Sequence, residues 1–163
     1  MNITKLTLLL LVSFTQISFT QTVSAQTESI HHLAKGMVNI QSAHSVEITT
    51  NRLESVLKQK GMTIFNRINH AKNGVGVGLF INPTELIIFG NPKIGTPLMQ
   101  CTVSVAIDLP QKALIWQDKQ GQVWLSYNDP HHLKQRHQIS GCDPVLAKVA
   151  KALENFAKFA TSK

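Results

Sequence analysis

The end of the chain carries the pattern that most constrains the fold, a long amphipathic helix predicted from Pro144 onward. At about 100° per residue, apolar side chains fill one half of its circumference and lysines dominate the other half. A helix of this kind either lies on a membrane surface or covers one face of a sheet. Because strands are predicted upstream, we expect it to cover a sheet. Its apolar positions are Val145, Leu146, Val149, Ala150, Leu153, Phe156, Phe159 and Ala160.

A second helix is predicted with both of its ends marked in the sequence. Ser45 is a suitable N-cap, Glu47 lies in the first turn, and apolar residues follow at helical spacing. Lys58 and Lys60 occupy the last turn, and Gly61 stands where a helix commonly ends. We therefore predict a helix from Ser45 to Lys60.

Five strands are predicted from apolar runs and from alternation of apolar and polar residues. The first lies around Met37 and Ile40. The other four, of which the last two form a hairpin, are Met62–Asn69, Thr84–Gly90, Ala113–Gln117 and Val123–Tyr127. The glycines at 74, 76 and 78 predict a turn. They do not form a dinucleotide fingerprint, because the third glycine comes one residue early.

Three dipeptides, Thr96-Pro97, Asp129-Pro130 and Asp143-Pro144, place a capping side chain before a proline. Proline suits the first helical position because it has no N–H to lose there. We therefore predict helices that begin at Pro97, Pro130 and Pro144. The connection from 91 to 110 is then a long loop, and a loop longer than about 15 residues in a compact domain is usually functional.

The first residues of the sequence predict export. A start with one lysine, an apolar run from Leu6 to Val12 and small residues before position 26 are typical of a secretory signal peptide cleaved after Ala25. We expect residues 1–25 to be this peptide, 26–35 a loose leader and 36–163 one domain, placed in the periplasm or secreted. The apolar run is shorter than a spanning helix, so stable membrane insertion after cleavage is not expected.

The predicted export bears on how the charge and the cysteines are interpreted. The formal net charge is +7, and residues 1–25 contain one lysine and no acid, so their removal leaves 7 − 1 = +6. A basic surface can attract nucleic acid, but export argues against that partner. Cys101 and Cys142 predict one disulfide in an oxidising compartment, and the alternative is two buried thiols that never meet.

Several short segments resemble those of a known family. The more specific ones are Phe89-Gly90-Asn91-Pro92 and Gly95-Thr96-Pro97-Leu98-Met99, and the others include Pro83-Thr84-Glu85-Leu86, Ile107-Asp108-Leu109-Pro110, Trp124-Leu125-Ser126-Tyr127 and Arg136-His137. Together they resemble the domain of unknown function 302 (DUF302) family, from about Gly36 to the C-terminal helix. The resemblance implies a TATA-binding-protein-like α+β fold, β-α-β(4)-α, with an antiparallel sheet covered on one face by helices. It implies no established activity.

The chain departs from the family pattern at three positions. The family tends to carry Asp where this chain has Asn69, Gly where it has Ala106, and an acidic residue where it has Gln117. A role that rests on a carboxylate at Asn69 or Gln117 is therefore not expected of this chain.

Two familiar binding motifs are not favoured. The spacing Gly90-x-x-x-x-Gly95 lacks the lysine of a phosphate loop, and Pro92 removes one N–H. A predicted helix start at Thr96 still offers backbone amides to a small anion, although simple capping by Thr96 explains the same residues. The seven histidines include no pair at the i, i+4 spacing of a helical zinc site, so no metal and no cofactor are predicted.

The residues that favour a functional site are Asp108, Arg136, His137, His70 and Arg67. A histidine beside an arginine and near a carboxylate can move protons, and an arginine can hold an anionic group. We expect a small anionic or amphipathic ligand in a pocket walled by residues 91–110. The expected ligand contacts are Asn91, Thr96, Asp108, Arg136, His137 and Arg67.

Two alternatives remain open at this stage. One is a small enzyme that uses His137 or His70 as a general base, with Asp108 nearby, although no Gly-x-Ser-x-Gly segment supplies a nucleophile. The other is a structural or interaction module without a site, in which Asp108 forms an ordinary salt bridge. A homodimer is compatible with each of these functions.

Overall fold

A five-stranded antiparallel sheet organises residues 34–163, the part of the chain that the computed structural model describes. The spatial order of the strands is β1-β5-β4-β3-β2. The signal peptide and nearly all of the leader predicted above lie outside the described residues. The strands are β1 Met37–Gln41, β2 Thr63–Asn69, β3 Thr84–Gly90, β4 Gln111–Gln117 and β5 Val123–Asn128.

One face of the sheet packs against two long helices, α1 (Val46–Gln59) and, at the end of the chain, Asp143–Thr161. Ile87 of β3 is fully buried, and its partners across the ladder, Ala113 and then Tyr127, are buried with it. Burying a large aliphatic side chain contributes about 1.5–3 kcal/mol, so this face supplies most of the core energy. The predicted α+β class, with an antiparallel sheet and helices on one face, is confirmed.

The helix α1 has the ends that the sequence predicts. The Ser45 hydroxyl accepts from the backbone N–H of Ile48, and Lys60 is the C-cap residue. Gly61 follows with φ = +70°, a left-handed conformation that glycine adopts without a steric penalty. The helix therefore stops where the strand β2 must begin.

Four short helices lie between these elements in the described residues, and three of them carry residues of the predicted site. They are α2 His70–Val75, α3 Pro92–Cys101, a 3-10 helix Val103–Ile107 and α4 Pro130–Arg136, so the long C-terminal helix is α5. The helix start at Pro130 is confirmed, with Asp129 as N-cap. The turn predicted from the glycines at 74, 76 and 78 begins inside the helix α2, which includes Gly74. The start of α5 lies one residue before Pro144, at Asp143.

The helix start predicted at Pro97 is wrong. α3 begins at Pro92, where Asn91 Oδ1 accepts from the N–H of Lys93 at 2.9 Å. Asn91-Pro92 has the same cap-and-proline form as Thr96-Pro97 and precedes it, so the helix has already formed when the chain reaches Pro97. The segment 91–110 is thus mostly helical and is not a loop. Neither reading of a helix start at Thr96, simple capping or a small-anion site, applies, because Thr96 lies inside α3.

α5 shows the predicted apolar face, with one exception. Leu146, Val149, Leu153 and other residues of that face are buried, whereas Phe159 is 44% exposed. The guanidinium of Arg52 lies 5.2 Å from the centroid of the Phe159 ring and also donates to carbonyl oxygens at the end of α5. A cation at the C-terminus of a helix is electrostatically favourable. Arg52 therefore fixes the end of α5 against α1.

A disulfide between Cys101 and Cys142 joins the end of α3 to the residue before α5. The predicted pairing is confirmed, with a Cα–Cα distance of 6.5 Å. Among residues 34–163, no helix has both the length and the hydropathy required to cross a membrane.

Candidate functional site

A cavity of about 270 Å³ lies between α3, the sheet and α5. The segment 91–110 contributes about half of its lining, together with residues from the start of β2, the end of β3 and the middle of α5. Most of the lining is apolar. The large apolar side chains are Met62, Phe65, Phe89, Ile94, Leu98, Met99, Leu109, Val149, Leu153 and Phe156.

Small residues leave this space open. Gly90, Gly95, Ala106 and Ala152 all line the cavity and lack the side-chain volume to fill it. A Cβ atom at Gly95 would approach Leu109 Cδ1 at 3.7 Å, an ordinary contact distance. The hollow therefore results from the choice of small residues at these positions, because the backbone there has room for larger ones.

Three polar residues stand among the apolar ones, namely Asn91, Thr96 and Gln111. Asn91 is fixed at both ends of its amide, since Oδ1 caps α3 and Nδ2 donates to the carbonyl oxygen of Gly61 at 3.1 Å. The N-terminus of α3 is thereby hydrogen-bonded to the turn before β2. The other predicted ligand contacts, Asp108, Arg136, His137 and Arg67, are not among the residues that line the cavity.

Asp108, Arg136 and His137 do come together, beside the cavity. Asp108 Oδ2 lies 2.6 Å from His137 Nε2, and Asp108 Oδ1 lies 3.3 Å from a terminal guanidinium nitrogen of Arg136. Asp108 is buried and is the C-cap residue of the 3-10 helix. His137 is the C-cap residue of α4. The sequence analysis grouped these three residues, and the structure gives the distances between them.

Ser104 belongs to the same cluster and was missed in the sequence. Its Oγ atom lies 3.0 Å from His137 Nδ1, on the opposite side of the ring from Asp108. Ser104 is 33 residues away from His137 in the chain and carries no surrounding motif. Only the tertiary structure brings the hydroxyl on the 3-10 helix to the imidazole at the end of α4.

Arg67 lies in a different network, on the sheet. Its Nε atom donates to Glu85 Oε2 at 2.7 Å, and a terminal nitrogen lies 3.3 Å from Glu54 Oε2 and donates to Asn51 Oδ1. Burial lowers the pKa of Arg67, but the hydrogen bonds and charges of Glu85 and Glu54 outweigh it, so the net pKa is raised. The expectation that Arg67 joins Asp108 is therefore wrong.

His70 is also separate from the cluster around Asp108. It is the first residue of α2, at the far end of β2, and it is exposed. Among the residues that the structure describes, no group of three or more His, Cys, Asp or Glu side chains is arranged to hold a metal ion.

The three departures from the family pattern have structural roles here. Asn69 caps α2 by accepting from the N–H of Lys72, and its amide donates to Glu85 Oε1 at 3.1 Å, which a carboxylate could not do. Gln117 donates from Nε2 to the carbonyl oxygen of Gly121 in the hairpin turn. Ala106 lines the cavity.

Three comparisons with known proteins place the chain among relatives. The pattern of the family described as "Domain of unknown function DUF302" matches residues 38–156. A crystal structure of an uncharacterized conserved DUF302 protein from Bacillus stearothermophilus superimposes with a TM-score of 0.62 at 22% identity, covering 78% of this chain and 97% of that one. This likeness supports the fold alone.

Two curated relatives are named fluoride-specific ion channel FluC 1. They come from Brucella suis biovar 1 (strain 1330) and Brucella abortus biovar 1 (strain 9-941), and each is 45% identical to this chain over 113 residues. The match covers 69% of this chain but only 44% and 42% of these relatives. The chain thus spans less than half the length of the curated relatives it matches.

Proposed function

The chain belongs to the DUF302 family, and we propose that this member is an exported protein that binds a small apolar or amphipathic molecule in the cavity beneath α3. The observation that carries the proposal is the cavity itself, an open, mostly apolar hollow bordered by a few polar groups. Such hollows are the usual form of small-molecule sites in proteins. The compartment is proposed from the N-terminal sequence pattern and from the disulfide.

The size of the cavity limits the ligand. Its volume of about 270 Å³ compares with the roughly 150 Å³ of an engineered apolar cavity that binds benzene. A two-ring aromatic molecule or a medium-length alkyl chain is therefore the appropriate scale. A polar end of such a molecule would lie beside Asn91, Thr96 or Gln111, the polar residues of the lining.

The apolar lining also favours one ligand class over another. A small inorganic anion would exchange its water shell for mostly apolar side chains, which is costly without charged partners. The charged residues predicted to hold an anion, Arg67 and Arg136, do not line the cavity. We therefore propose an amphipathic ligand in place of a simple anion. The proposal does not include fluoride conduction, because the match spans less than half of each relative named for it.

A fluorescence titration tests this function. The probe is N-phenyl-1-naphthylamine, whose emission rises on transfer to an apolar site, with decanoate as the competitor. We expect saturable binding by the unmodified protein and displacement by decanoate. In Ala152→Leu the added side chain occupies part of the cavity, so affinity for the probe should fall by about tenfold or more, equivalent to roughly 1.4 kcal/mol.

The matched control is Ala147→Leu, which adds the same side chain at an exposed position of the same helix α5. It should bind the probe as the unmodified protein does. Thermal unfolding of both variants shows whether the fold is intact. Equal probe affinity in Ala152→Leu and Ala147→Leu, or no saturable binding by the unmodified protein, contradicts the proposal.

A further inference from the structure

Three side chains beside the cavity form a continuous chain of hydrogen bonds. Ser104 Oγ lies 3.0 Å from His137 Nδ1, and His137 Nε2 lies 2.6 Å from Asp108 Oδ2. The sequence of groups is hydroxyl, imidazole and carboxylate, which is the arrangement of a serine-based acyl-transfer site. The two ring nitrogens are exchanged relative to the common serine protease arrangement, in which Nε2 faces the hydroxyl.

The chemistry of the two partners decides which ring nitrogen carries the hydrogen. An ionised Asp108 only accepts, so Nε2 of a neutral His137 must donate to it. Nδ1 is then without a hydrogen and accepts from the Ser104 hydroxyl. The nitrogen that faces Ser104 is therefore the basic one, as the removal of a hydroxyl proton requires.

The three hydrogen-bonded residues differ in burial, and the carboxylate and the imidazole are more buried than the serine. The side chain of His137 is 6% exposed and that of Asp108 is 10% exposed. The base and its carboxylate are therefore largely shielded from water, and a hydrogen bond is stronger in such a setting than in water. Ser104, by contrast, is an exposed residue. Its hydroxyl also lies 3.3 Å from Thr102 Oγ1, which can share a hydrogen bond with it.

Covalent and electrostatic contacts hold these groups in place. The Cys101–Cys142 disulfide joins the segment just before Ser104 to the segment just after His137. Arg136 lies 3.3 Å from Asp108 Oδ1, and Lys112 Nζ donates to the carbonyl oxygen of Asp108 at 3.1 Å. Reactive groups fixed before the substrate arrives lower the entropic barrier to reaction.

We propose that Ser104 is the nucleophile of an acyl-transfer site, that His137 is its general base, and that Asp108 is a positioning residue for the His137 ring. The substrate class is a small carboxylic ester. None of the three residues lines the cavity, so this activity does not depend on the ligand-binding function proposed above.

The reaction balances with water as the only other reactant. Ser104 Oγ forms a bond to the ester carbonyl carbon while its proton passes to His137 Nδ1. The bond between that carbon and the alkoxy oxygen breaks, and the departing alcohol takes the proton. Water then gives a proton to Nδ1, and its oxygen forms a bond to the acyl carbon. The bond between that carbon and Ser104 Oγ breaks, the proton returns from Nδ1 to Oγ, and the carboxylic acid leaves.

A fluorophosphonate probe tests the nucleophile directly. The serine oxygen displaces fluoride from phosphorus, which adds a known mass to the protein. We expect a single addition on the unmodified protein, located on Ser104 by peptide mass spectrometry. Ser104→Ala should lose it, and hydrolysis of p-nitrophenyl acetate should fall with it. The matched control is Ser140→Ala, because Ser140 is another exposed serine near His137 in the sequence.

A second variant tests the positioning role of Asp108. In Asp108→Asn the amide can donate to Nε2, which places the ring hydrogen on Nδ1 and removes the base that faces Ser104. Labelling of Ser104 should then slow by about 10-fold or more, as in other sites where this substitution selects the wrong tautomer. The nitrogen-15 chemical shifts of the His137 ring should show the exchange of hydrogen between Nδ1 and Nε2, which a purely structural role for Asp108 would not predict.

Three results would overturn the proposal. They are no labelling of the folded, oxidised protein at millimolar probe, equal labelling of Ser104→Ala, and an unchanged rate in an Asp108→Asn variant that keeps its thermal unfolding midpoint. Because the probe-binding titration with Ala152→Leu is unaffected by each of these, the two proposed functions fail separately.

Discussion

The two charged networks of this protein, around Arg67 and around Asp108, contain similar groups and end differently. Around Arg67, the oxygens of Glu85 accept from Arg67 and from Asn69, and those of Glu54 accept from Lys58 and from Arg67. Every carboxylate oxygen of that network has a donor. Its exposed members are Asn51 and Lys58, and it contains no hydroxyl and no histidine, as expected for a network that stabilises the sheet. We call it the closed network.

The network around Asp108 is open at one end. Its carboxylate accepts from Arg136 and His137, but the ring passes the hydrogen-bond chain onward to the exposed Ser104. The closed network has no hydroxyl beside an imidazole, whereas the open one presents the Ser104 hydroxyl beside His137. Both networks contain buried charges. Only the network that leads to an exposed nucleophile beside a base has the groups needed for a reaction.

The largest expected effect comes from removing the disulfide, which lies next to the Asp108 network and not next to the Arg67 network. Cys101→Ser combined with Cys142→Ser removes a cross-link over 41 residues, which should lower the free energy of unfolding by about 4 kcal/mol. Fluorophosphonate labelling of Ser104 should fall as well, because the cross-link holds that segment near His137. Urea unfolding measures the first effect. An unchanged unfolding midpoint contradicts the assignment of a stabilising cross-link.

The next effect belongs to the closed network alone. Glu85→Ala leaves Arg67 and Asn69 without their buried acceptor, which should cost roughly 1–3 kcal/mol of unfolding free energy. Labelling of Ser104 should not change in the folded variant. Glu154→Ala, at an exposed residue whose pair is on the surface of α5, is the control and should show little loss of stability. A loss of labelling in Glu85→Ala would show that the two networks are coupled.

The smallest effect is a pH dependence of the closed network. The hydrogen bond from Lys58 is the largest influence on the pKa of Glu54 and lowers it, while burial, the second largest, raises it. The charge of Lys58 and the contacts of Arg67 add to the lowering, so the net pKa lies below its ordinary value. A carboxyl with a depressed folded-state pKa stabilises the fold above its unfolded pKa, and this contribution is lost as the pH falls through the folded value.

Glu54→Gln should therefore flatten the acid limb of a stability profile measured by urea unfolding between pH 7 and pH 2. Because the side chain is 24% exposed, the difference should be under about 1 kcal/mol. Glu47→Gln, at an exposed acid outside this network, is the control. A profile for Glu54→Gln that is as steep as that of the unmodified protein would contradict the prediction.

Much of the fold could be predicted because its signals are local. The caps of α1 at Ser45 and Gly61, the apolar face of α5 and the strand alternation each depend on residues close in sequence. The error at Pro97 has the same origin. Two adjacent cap-and-proline pairs compete, and the earlier one at Asn91 forms the helix.

The candidate site could be predicted only in part. The charged members Asp108, Arg136 and His137 are chemically conspicuous, so the sequence drew attention to them. Arg67 was grouped with them wrongly, since a charge does not show which carboxylate it will meet across a sheet. The sequence predicted a pocket beside residues 91–110, and the lining and volume of the cavity come only from the structure. Ser104 had no local signal, because nothing near a lone hydroxyl in the chain shows that it will meet a histidine.

By itself the sequence determined the α+β class, the positions of the two long helices, the strands and a cysteine pair suited to one cross-link. These follow from periodicity, caps and composition, which are properties of short segments. Only the tertiary structure decided that Arg67 pairs with Glu85, that small residues leave a cavity under α3, and that Ser104 meets His137. Each of these depends on distances between segments far apart in the chain, and such distances are fixed by packing of the whole domain.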